Sequence, residues 1–191
     1  MKPAGRKIER TGMVDMAAEE RNVRRTGAMA LGVIAAAGAV FWFAWPPLFG
    51  LPETLAERLA FAALCAWPLF VCVTVAIMIV GLKRRTSPED IAGSAAAPPS
   101  DRIRLDVAVL QNTLEQAVIA ASAYLAVAVL AQGRVLALLP AAVLCFVIGR
   151  VFFRAWYFTR PTGRGFGMNL TMQPSLYLHA LAAVLLAARL F

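Results

Sequence analysis

Long apolar runs alternate with short clusters of charge along the chain, and this alternation restricts its possible folds more than any other feature. An apolar run of about 18 residues or more can cross a hydrocarbon core roughly 30 Å thick as a helix. A soluble domain carries about 25% charged residues, whereas this chain of 191 residues has 16%. We therefore predict an all-α integral membrane protein with five spans, at about residues 27–45, 58–82, 104–131, 135–158 and 170–190.

The connections between these spans differ in character. Pro46 and Pro47 are expected to end the first span, because proline cannot continue a helix. The loop 86–101 contains the low-complexity stretch GSAAAPPS, which favours a flexible connection without a core of its own. Residues 132–134 are so few that the third and fourth spans must form a tight antiparallel hairpin.

The resulting domain organisation has three parts. Residues 1–26 are predicted to be a polar cytoplasmic tail, and residues 27–50 an extra transmembrane helix with its turn. Residues 51–191 are predicted to form a four-helix membrane domain with a cytoplasmic loop at 83–104.

Basic residues are distributed very unevenly between the two predicted sides of the membrane. Segments 1–26, 83–104 and 150–164 hold 16 of the 19 lysines and arginines, and the other side holds Arg58, Arg134 and Arg189. By the positive-inside rule the N-terminus is cytoplasmic. We predict a bacterial inner-membrane protein with a periplasmic C-terminus. The net charge of +8 flanks apolar spans, so a nucleic-acid partner is not expected.

Cysteine and histidine usage argues against a metal site. The three cysteines, Cys65, Cys72 and Cys145, lie inside apolar runs, where a free cysteine packs as a small hydrophobe. The only histidine, His179, lies in mid-span, where an interhelical hydrogen bond is the favoured interpretation over a catalytic role. We predict no metal site and no disulfide.

Polar residues inside spans are expensive and are therefore functional candidates. In the third span Asn112 and Gln111 lie three and four residues before Glu115, so they share a helical face with it. Glu115 lies eleven residues beyond Arg104, roughly 16 Å along a helix axis. A carboxylate at that depth must be protonated, paired or hydrated.

The end of the fourth span carries a second polar face. Arg150, Arg154 and Tyr157 follow at spacings of four and three. Because the third and fourth spans are antiparallel, Glu115 and Arg150 lie in the same leaflet, and an ion pair between them is allowed. Two further arginines follow in a segment predicted to be a loop, Arg160 and Arg164.

These polar groups allow two interpretations. Each could be structural, either as interhelical contacts or as arginines that meet anionic headgroups. Taken together, several arginines and one carboxylate suit a small anionic, zwitterionic ligand such as glutathione, because arginine binds carboxylates in a bidentate way.

Four motifs resemble the MAPEG superfamily, the membrane-associated proteins in eicosanoid and glutathione metabolism. They are LKRRTSPED (82–90), QNTLE (111–115), GRVFFRAWY (149–157) and RPTGRGFG (160–167). The similarity covers about residues 59–191. It implies a four-helix bundle at about 58–190, preceded in this chain by one extra span.

The resemblance also implies roles for individual residues. Asn112 and Glu115 match the Asn-x-x-Glu that binds the glutathione backbone and amine, and Arg150 and Tyr157 match glutathione-contacting positions. Arg164 resembles the arginine that stabilises the glutathione thiolate. The predicted binding set is completed by Arg84, Gln111 and Arg154. Two positions depart from the family pattern, since its arginine and second tyrosine are replaced here by Ala108 and Phe153.

The implied function is that of a glutathione-dependent transferase or peroxidase. It would act on small lipophilic electrophiles, with glutathione as co-substrate, in a homotrimer whose sites open to the cytoplasm. The alternative is a non-catalytic member of the same superfamily with a structural or lipid-binding role. A transporter is disfavoured, because no span is broken by paired glycines or prolines at mid-depth.

Overall fold

Five long helices make up the described part of the molecule. The computed structural model describes residues 16–93, 95, 97–157 and 161–191. All five helices are long and apolar enough to cross a membrane, which confirms the predicted all-α, five-span fold. In chain order they are α1 (Met16–Phe49), α2 (Leu55–Arg84), α3 (Arg104–Leu130), α4 (Leu138–Ala155) and α5 (Pro161–Leu190), with a 3₁₀ helix at Gly133–Ala137 before α4.

Helix α1 extends beyond the predicted first span at both ends. Its first residues lie in the segment predicted to be a tail, whose residues 1–15 are outside the described part of the chain. The prediction that Pro46 and Pro47 end the helix was wrong, because α1 continues through both to Phe49. Proline already has a φ close to the helical value. Because proline has no N–H, each of these residues only lacks a backbone hydrogen-bond donor, one turn before the helix ends. The Gly50 N–H closes that last turn by donating to the Pro46 carbonyl oxygen at 3.0 Å.

The main core lies among α2, α3, α4 and α5. Helix α3 packs mostly against α2 and α5, and much less against α4, to which its short hairpin connects it. Its contact face is built of small residues, including Ala117, Ala120 and Ala123, all fully buried. Small side chains allow helices to approach closely in a membrane, where packing drives association. Larger side chains, Leu69 and Phe146 among them, fill the remaining space.

Helices α4 and α5 cross with their backbones in contact. A Cβ atom on Gly167 would lie 2.5 Å from the Phe153 nitrogen and 2.6 Å from the Gly149 carbonyl oxygen. A Cβ atom on Gly163 would likewise lie too close to the indole ring of Trp156. The segment that contains these glycines was predicted to be a loop, but α5 begins at Pro161. Proline is favoured at a first helical position, and the glycines serve helix packing.

The loop between α2 and α3 is organised around one carboxylate. Asp90 is 4% exposed and accepts hydrogen bonds from the Ser100 hydroxyl and N–H and from the Ser87 hydroxyl. The Ser100 hydroxyl, with these other donors, holds the pKa of Asp90 below its ordinary value of 3.8. Two serines, one before the low-complexity stretch and one at its end, thus bind the same acid and join the two ends of the loop.

The arginines at the opposite end of the bundle close the C-terminus of α3. Arg58 is buried and donates to the Ala131 carbonyl oxygen at 2.6 Å. Arg189 donates to the carbonyl oxygens of Val129 and Leu130. The last carbonyls of a helix lack intrahelical donors, so these cations satisfy groups that a membrane would otherwise leave unpaired.

Candidate functional site

Arg150 lies at the centre of the polar groups inside the bundle. It projects from α4, and its residue is 6% exposed. One terminal nitrogen donates to Asn112 Oδ1 on α3 at 2.7 Å, and the other donates to the Thr171 hydroxyl on α5. The predicted residues Asn112 and Arg150 therefore meet, and Thr171 is a partner that the sequence analysis missed.

Two phenylalanines flank the same guanidinium. The Arg150 Cζ atom lies 4.6 Å from the centroid of the Phe153 ring and 5.7 Å from that of Phe146. A cation over an aromatic face is attracted by the ring's quadrupole, most strongly where water is excluded. Phe153, which departs from the family's tyrosine, thus contacts the guanidinium with its ring face.

The charge of Arg150 has no neutralising partner within the described part of the chain. Asn112 and Thr171 are neutral, none of the ion pairs includes Arg150, and its Nε atom is buried without a hydrogen-bond acceptor. A buried charge without a counter-ion is costly. The site can therefore accept an anion.

A cavity of about 190 Å³ adjoins Arg150 between α2, α3 and α4. Most of its wall is aliphatic, and the polar lining comes from the charged residues and a few others. It thus combines an apolar surface with a cationic group, an arrangement suited to an amphiphilic ligand. The polar lining residues are Cys72, Asp106, Thr113, Arg150 and Arg154.

Asp106 links three helices at the end of this cavity. Its carboxylate accepts from Lys83 of α2 through one oxygen and from Arg154 of α4 through the other. Its side chain is 1% exposed, whereas those of both cations are 38% exposed. Arg154, predicted to bind ligand, thus shares a single carboxylate with Lys83. Sequence reasoning missed Asp106, although it lies seven residues before Thr113 on the buried face of α3.

Gln111 and Glu115 lie on the outer face of α3. Both are exposed in the single chain, and the Gln111 amide donates to Glu115 Oε1 at 2.8 Å. The ion pair that the spacing allowed between Glu115 and Arg150 is not among the ion pairs of the described residues, and Arg150 instead donates to Asn112. The polar face expected for α3 is therefore divided, with Asn112 inside the bundle and its two neighbours outside.

The remaining predicted site residues lie near the ends of the helices. The Arg164 guanidinium lies 5.3 Å from the centroid of the Tyr157 ring, and that ring also contacts Phe153 edge to face. Arg84, at the end of α2, lies close enough to Asp90 to lower its pKa. Arg160 is outside the described residues.

The other candidates of the sequence analysis have structural environments. His179 Nε2 lies 3.0 Å from the Ile119 carbonyl oxygen and 3.4 Å from the Ser122 hydroxyl, which is the expected interhelical contact. All three cysteines are free. Within the described ranges, no three histidine, cysteine or acidic residues are grouped as metal ligands.

The fold and site define an all-α integral membrane protein with a buried, un-neutralised arginine facing a largely apolar cavity. A sequence model of the MAPEG family matches residues 59–184, about two thirds of the chain, and the protein belongs to this family. Helix α1 lies entirely before the matched residues. No curated protein and no solved structure matches the chain.

Proposed function

We propose that the protein is a membrane-bound, glutathione-dependent transferase or peroxidase that acts on lipophilic electrophiles at a cytoplasm-facing site. Family membership supports this class of activity. The observation that carries the proposal is the buried Arg150, whose partners are both neutral and whose Nε lacks an acceptor. A carboxylate of glutathione would supply the missing negative charge.

The roles of the site residues follow from their positions and chemistry. Arg150 and Asn112 would hold the glutathione backbone and one carboxylate, and Glu115 would accept from the ammonium group. Arg164 would act on the thiol, because a nearby guanidinium favours the thiolate over the thiol, whose ordinary pKa is about 8.5. The further binding residues are Arg84, Gln111, Arg154 and Tyr157.

The second substrate would reach the site through the bilayer. The cavity beside Arg150 has a mostly aliphatic wall, which suits an apolar electrophile better than a hydrated one. Bound glutathione would supply the nucleophilic sulfur. The protein's contribution is to orient it, keep its thiol ionised and exclude water.

The assembly and orientation belong to the same proposal. Gln111 and Glu115 are exposed on α3 at depth in a span, where polar groups facing lipid are costly. A homotrimer would cover them with a neighbouring copy. The basic ends of α2 and α4 would face the cytoplasm, across a bacterial inner membrane. A reporter fused to each terminus would test this, and a C-terminus found in the cytoplasm would contradict it.

Glutathione binding is tested first by thermal unfolding of the purified protein. A ligand for the native state at 100 times its Kd adds about 2.7 kcal/mol to the free energy of unfolding. We expect millimolar glutathione to raise the Tm of the native protein, and Arg150→Gln to abolish that rise. Arg134→Gln, at the opposite end of the bundle, should keep it. An unchanged native Tm would contradict the proposal.

Conjugation of a chlorinated aromatic tests the role of Arg164. We expect Arg164→Ala to lower the rate about tenfold or more, equivalent to about 1.4 kcal/mol of activation free energy, while the glutathione-induced rise in Tm persists. Arg104→Ala, which removes an exposed arginine paired with Asp101 at 2.8 Å, should conjugate at the native rate. Unchanged conjugation by the Arg164 variant would exclude the proposed role.

A second candidate is a non-catalytic membrane protein that uses the same polar groups for helix registry. The observation that favours it is that Asp106 of α3 joins α2 and α4 through side chains of the chain itself, Lys83 and Arg154. Under this alternative, glutathione shifts no Tm and Arg150→Gln affects only stability.

A further inference from the structure

A cavity of about 450 Å³ lies between the first helix and the adjoining ends of α4 and α5. Because α1 precedes the family-matched residues, the wall of this cavity that α1 supplies lies outside the family pattern, whereas the opposite wall lies within it. Its main lining residues are Arg25, Met29, Phe152, Trp156, Gly163 and Phe166.

Aromatic rings form the wall that faces α1. The Phe152 ring lies 4.6 Å from that of Trp156 and 5.5 Å from that of Phe166, the latter edge to face. Aromatic residues, tryptophan above all, are enriched at the level of the lipid headgroups. Met29 adds a flexible apolar side chain from α1.

Arg25 supplies a positive charge at the edge of this aromatic wall. It is exposed and forms no ion pair with another described residue. Its neighbour Arg24 instead pairs with Glu20 at 2.6 Å on the helix exterior. Of these adjacent arginines, only Arg25 lines the cavity.

The cavity has well-defined walls, because α1 is anchored to α5 by polar contacts. Gln173 donates to the Gly27 carbonyl oxygen at 3.3 Å and to Asn169 Oδ1 at 3.1 Å. Thr26 is 2% exposed and lies against Gly165, where a Cβ would come within 3.1 Å of its hydroxyl. The position of Arg25 relative to the aromatic wall is thereby set by the packing one residue away.

We propose that this cavity is a binding site for one anionic phospholipid from the leaflet at this end of the helices. The phosphate would bind Arg25, and the glycerol and first acyl methylenes would lie against Phe152, Phe166 and Met29. Arg25 lies two residues before Gly27, where the apolar run starts, so its guanidinium would lie at headgroup depth. The site is independent of the glutathione proposal.

A lipid fits this cavity better than a soluble anion does. One cation and several aromatic and aliphatic surfaces match a molecule with a single phosphate joined to hydrocarbon. A small hydrated anion could contact the arginine but would leave the apolar wall of the cavity uncovered. The attraction of one juxtamembrane arginine to an anionic surface contributes about 1 kcal/mol of binding free energy. Since this is too little to retain one particular lipid, binding depends on the apolar wall as well.

Native mass spectrometry of the detergent-purified full chain, with added phosphatidylglycerol or phosphatidylcholine, tests the proposal. We expect one phosphatidylglycerol to be retained in preference to phosphatidylcholine. Arg25→Gln should lower its occupancy about fivefold, whereas Arg24→Gln should leave it unchanged. Met29→Trp, which fills the cavity without changing charge, should also lower it, and Leu31→Trp on another face of α1 should not.

Three results would overturn the proposal. Equal retention of the two phospholipids would show that charge plays no part, and equal losses in the two arginine variants would indicate a diffuse basic surface. Soluble glycerol phosphate binding as tightly as phosphatidylglycerol would show that the aromatic wall contributes nothing and that the occupant is a free phosphate ester.

Discussion

Asp106 is the most enclosed charge in the polar end of the bundle. Its side chain is 1% exposed while its two cations retain access to water. A single buried carboxylate between two cations is favourable only because each oxygen receives a charged donor. Removing the acid leaves two positive groups without the counter-ion they share, so the substitution weakens contacts among all three helices.

We expect Asp106→Asn to lower the free energy of unfolding by about 2–3 kcal/mol. This is below the value for a fully buried pair, because Lys83 and Arg154 can turn toward water. Chemical unfolding in detergent micelles measures it. The matched control is Asp101→Asn, whose pair with Arg104 is exposed and whose loss should stay within about 0.5 kcal/mol. Equal effects of the two substitutions would contradict the role assigned to Asp106.

At this scale the sequence predicted which residues carry the polar chemistry better than it predicted their partners. Helical spacing and the resemblance identified Asn112 and Arg150, which do meet. Spacing also allowed an ion pair between Arg150 and Glu115, because it places residues on a face without specifying which way that face turns. Asp106 was missed because an acid in a first helical turn resembles an ordinary capping charge.

Glycine at the α4–α5 crossing determines how closely these two helices pack. We expect Gly167→Ala to lower the free energy of unfolding by about 3 kcal/mol, because its Cβ would meet backbone atoms of Gly149 and Phe153 that cannot rotate away. The same displacement would shift Arg150 relative to Thr171. Thermal unfolding in detergent measures the first effect.

The control for that substitution is Gly32→Ala on α1, where a Cβ would meet nothing within 4 Å. Alanine is a better helix former than glycine by up to about 1 kcal/mol, so stability should be unchanged or slightly raised. A Gly167 variant as stable as the Gly32 variant would show that the helices can separate without cost.

The loop between α2 and α3 should respond to acid. Hydrogen bonds, led by that from the Ser100 hydroxyl, lower the pKa of Asp90 in the folded loop, so the ionised form stabilises it. That stabilisation is complete above about pH 5 and is lost as the pH falls through 3.8 toward the folded-state pKa.

Hydrogen exchange of the loop amides measures this response. Exchange in 86–103, corrected for its intrinsic pH dependence, should show protection at pH 7 that declines as the pH falls below 4. Asp90→Asn should have low protection at both values. Protection that is independent of pH in the native protein would contradict the role of Asp90 as the organising group.

The lengths of the apolar runs predicted the number of helices. The residues at which the helices begin and end could not be predicted from hydropathy, because they depend on backbone conformation and close packing. Proline was interpreted as a terminator in α1, yet its φ permits the final turn there. Glycines before the fifth span were interpreted as a loop, yet they are the contact surface of α5 with α4. Composition alone cannot distinguish a glycine needed for conformational freedom from one needed for close packing.

The whole molecule is a family bundle with a fifth helix on its side. Helix α1 packs on α5 and α4 and makes the cavity at Arg25. The resemblance could predict that this helix was extra, but it carried no information about where the helix docks. The hydrogen bond from Gln173 to the Gly27 carbonyl oxygen, which joins α5 to α1, lies within a span where only His179 had been singled out from the sequence.

Substitution of Glu115 tests whether several copies of the protein assemble. Its side chain is exposed in the single chain and accepts only from Gln111 on its own helix, so a neighbouring copy would relieve the cost of an acid facing lipid. We expect a trimer by native mass spectrometry without glutathione. Glu115→Leu should weaken it by about 1–2 kcal/mol per interface, whereas Val118→Leu, an apolar change on the same helix, should leave it intact. If Glu115→Leu instead raises the Tm of a monomer, the acid faces acyl chains, and both the assembly and the ammonium-binding role of Glu115 are excluded together.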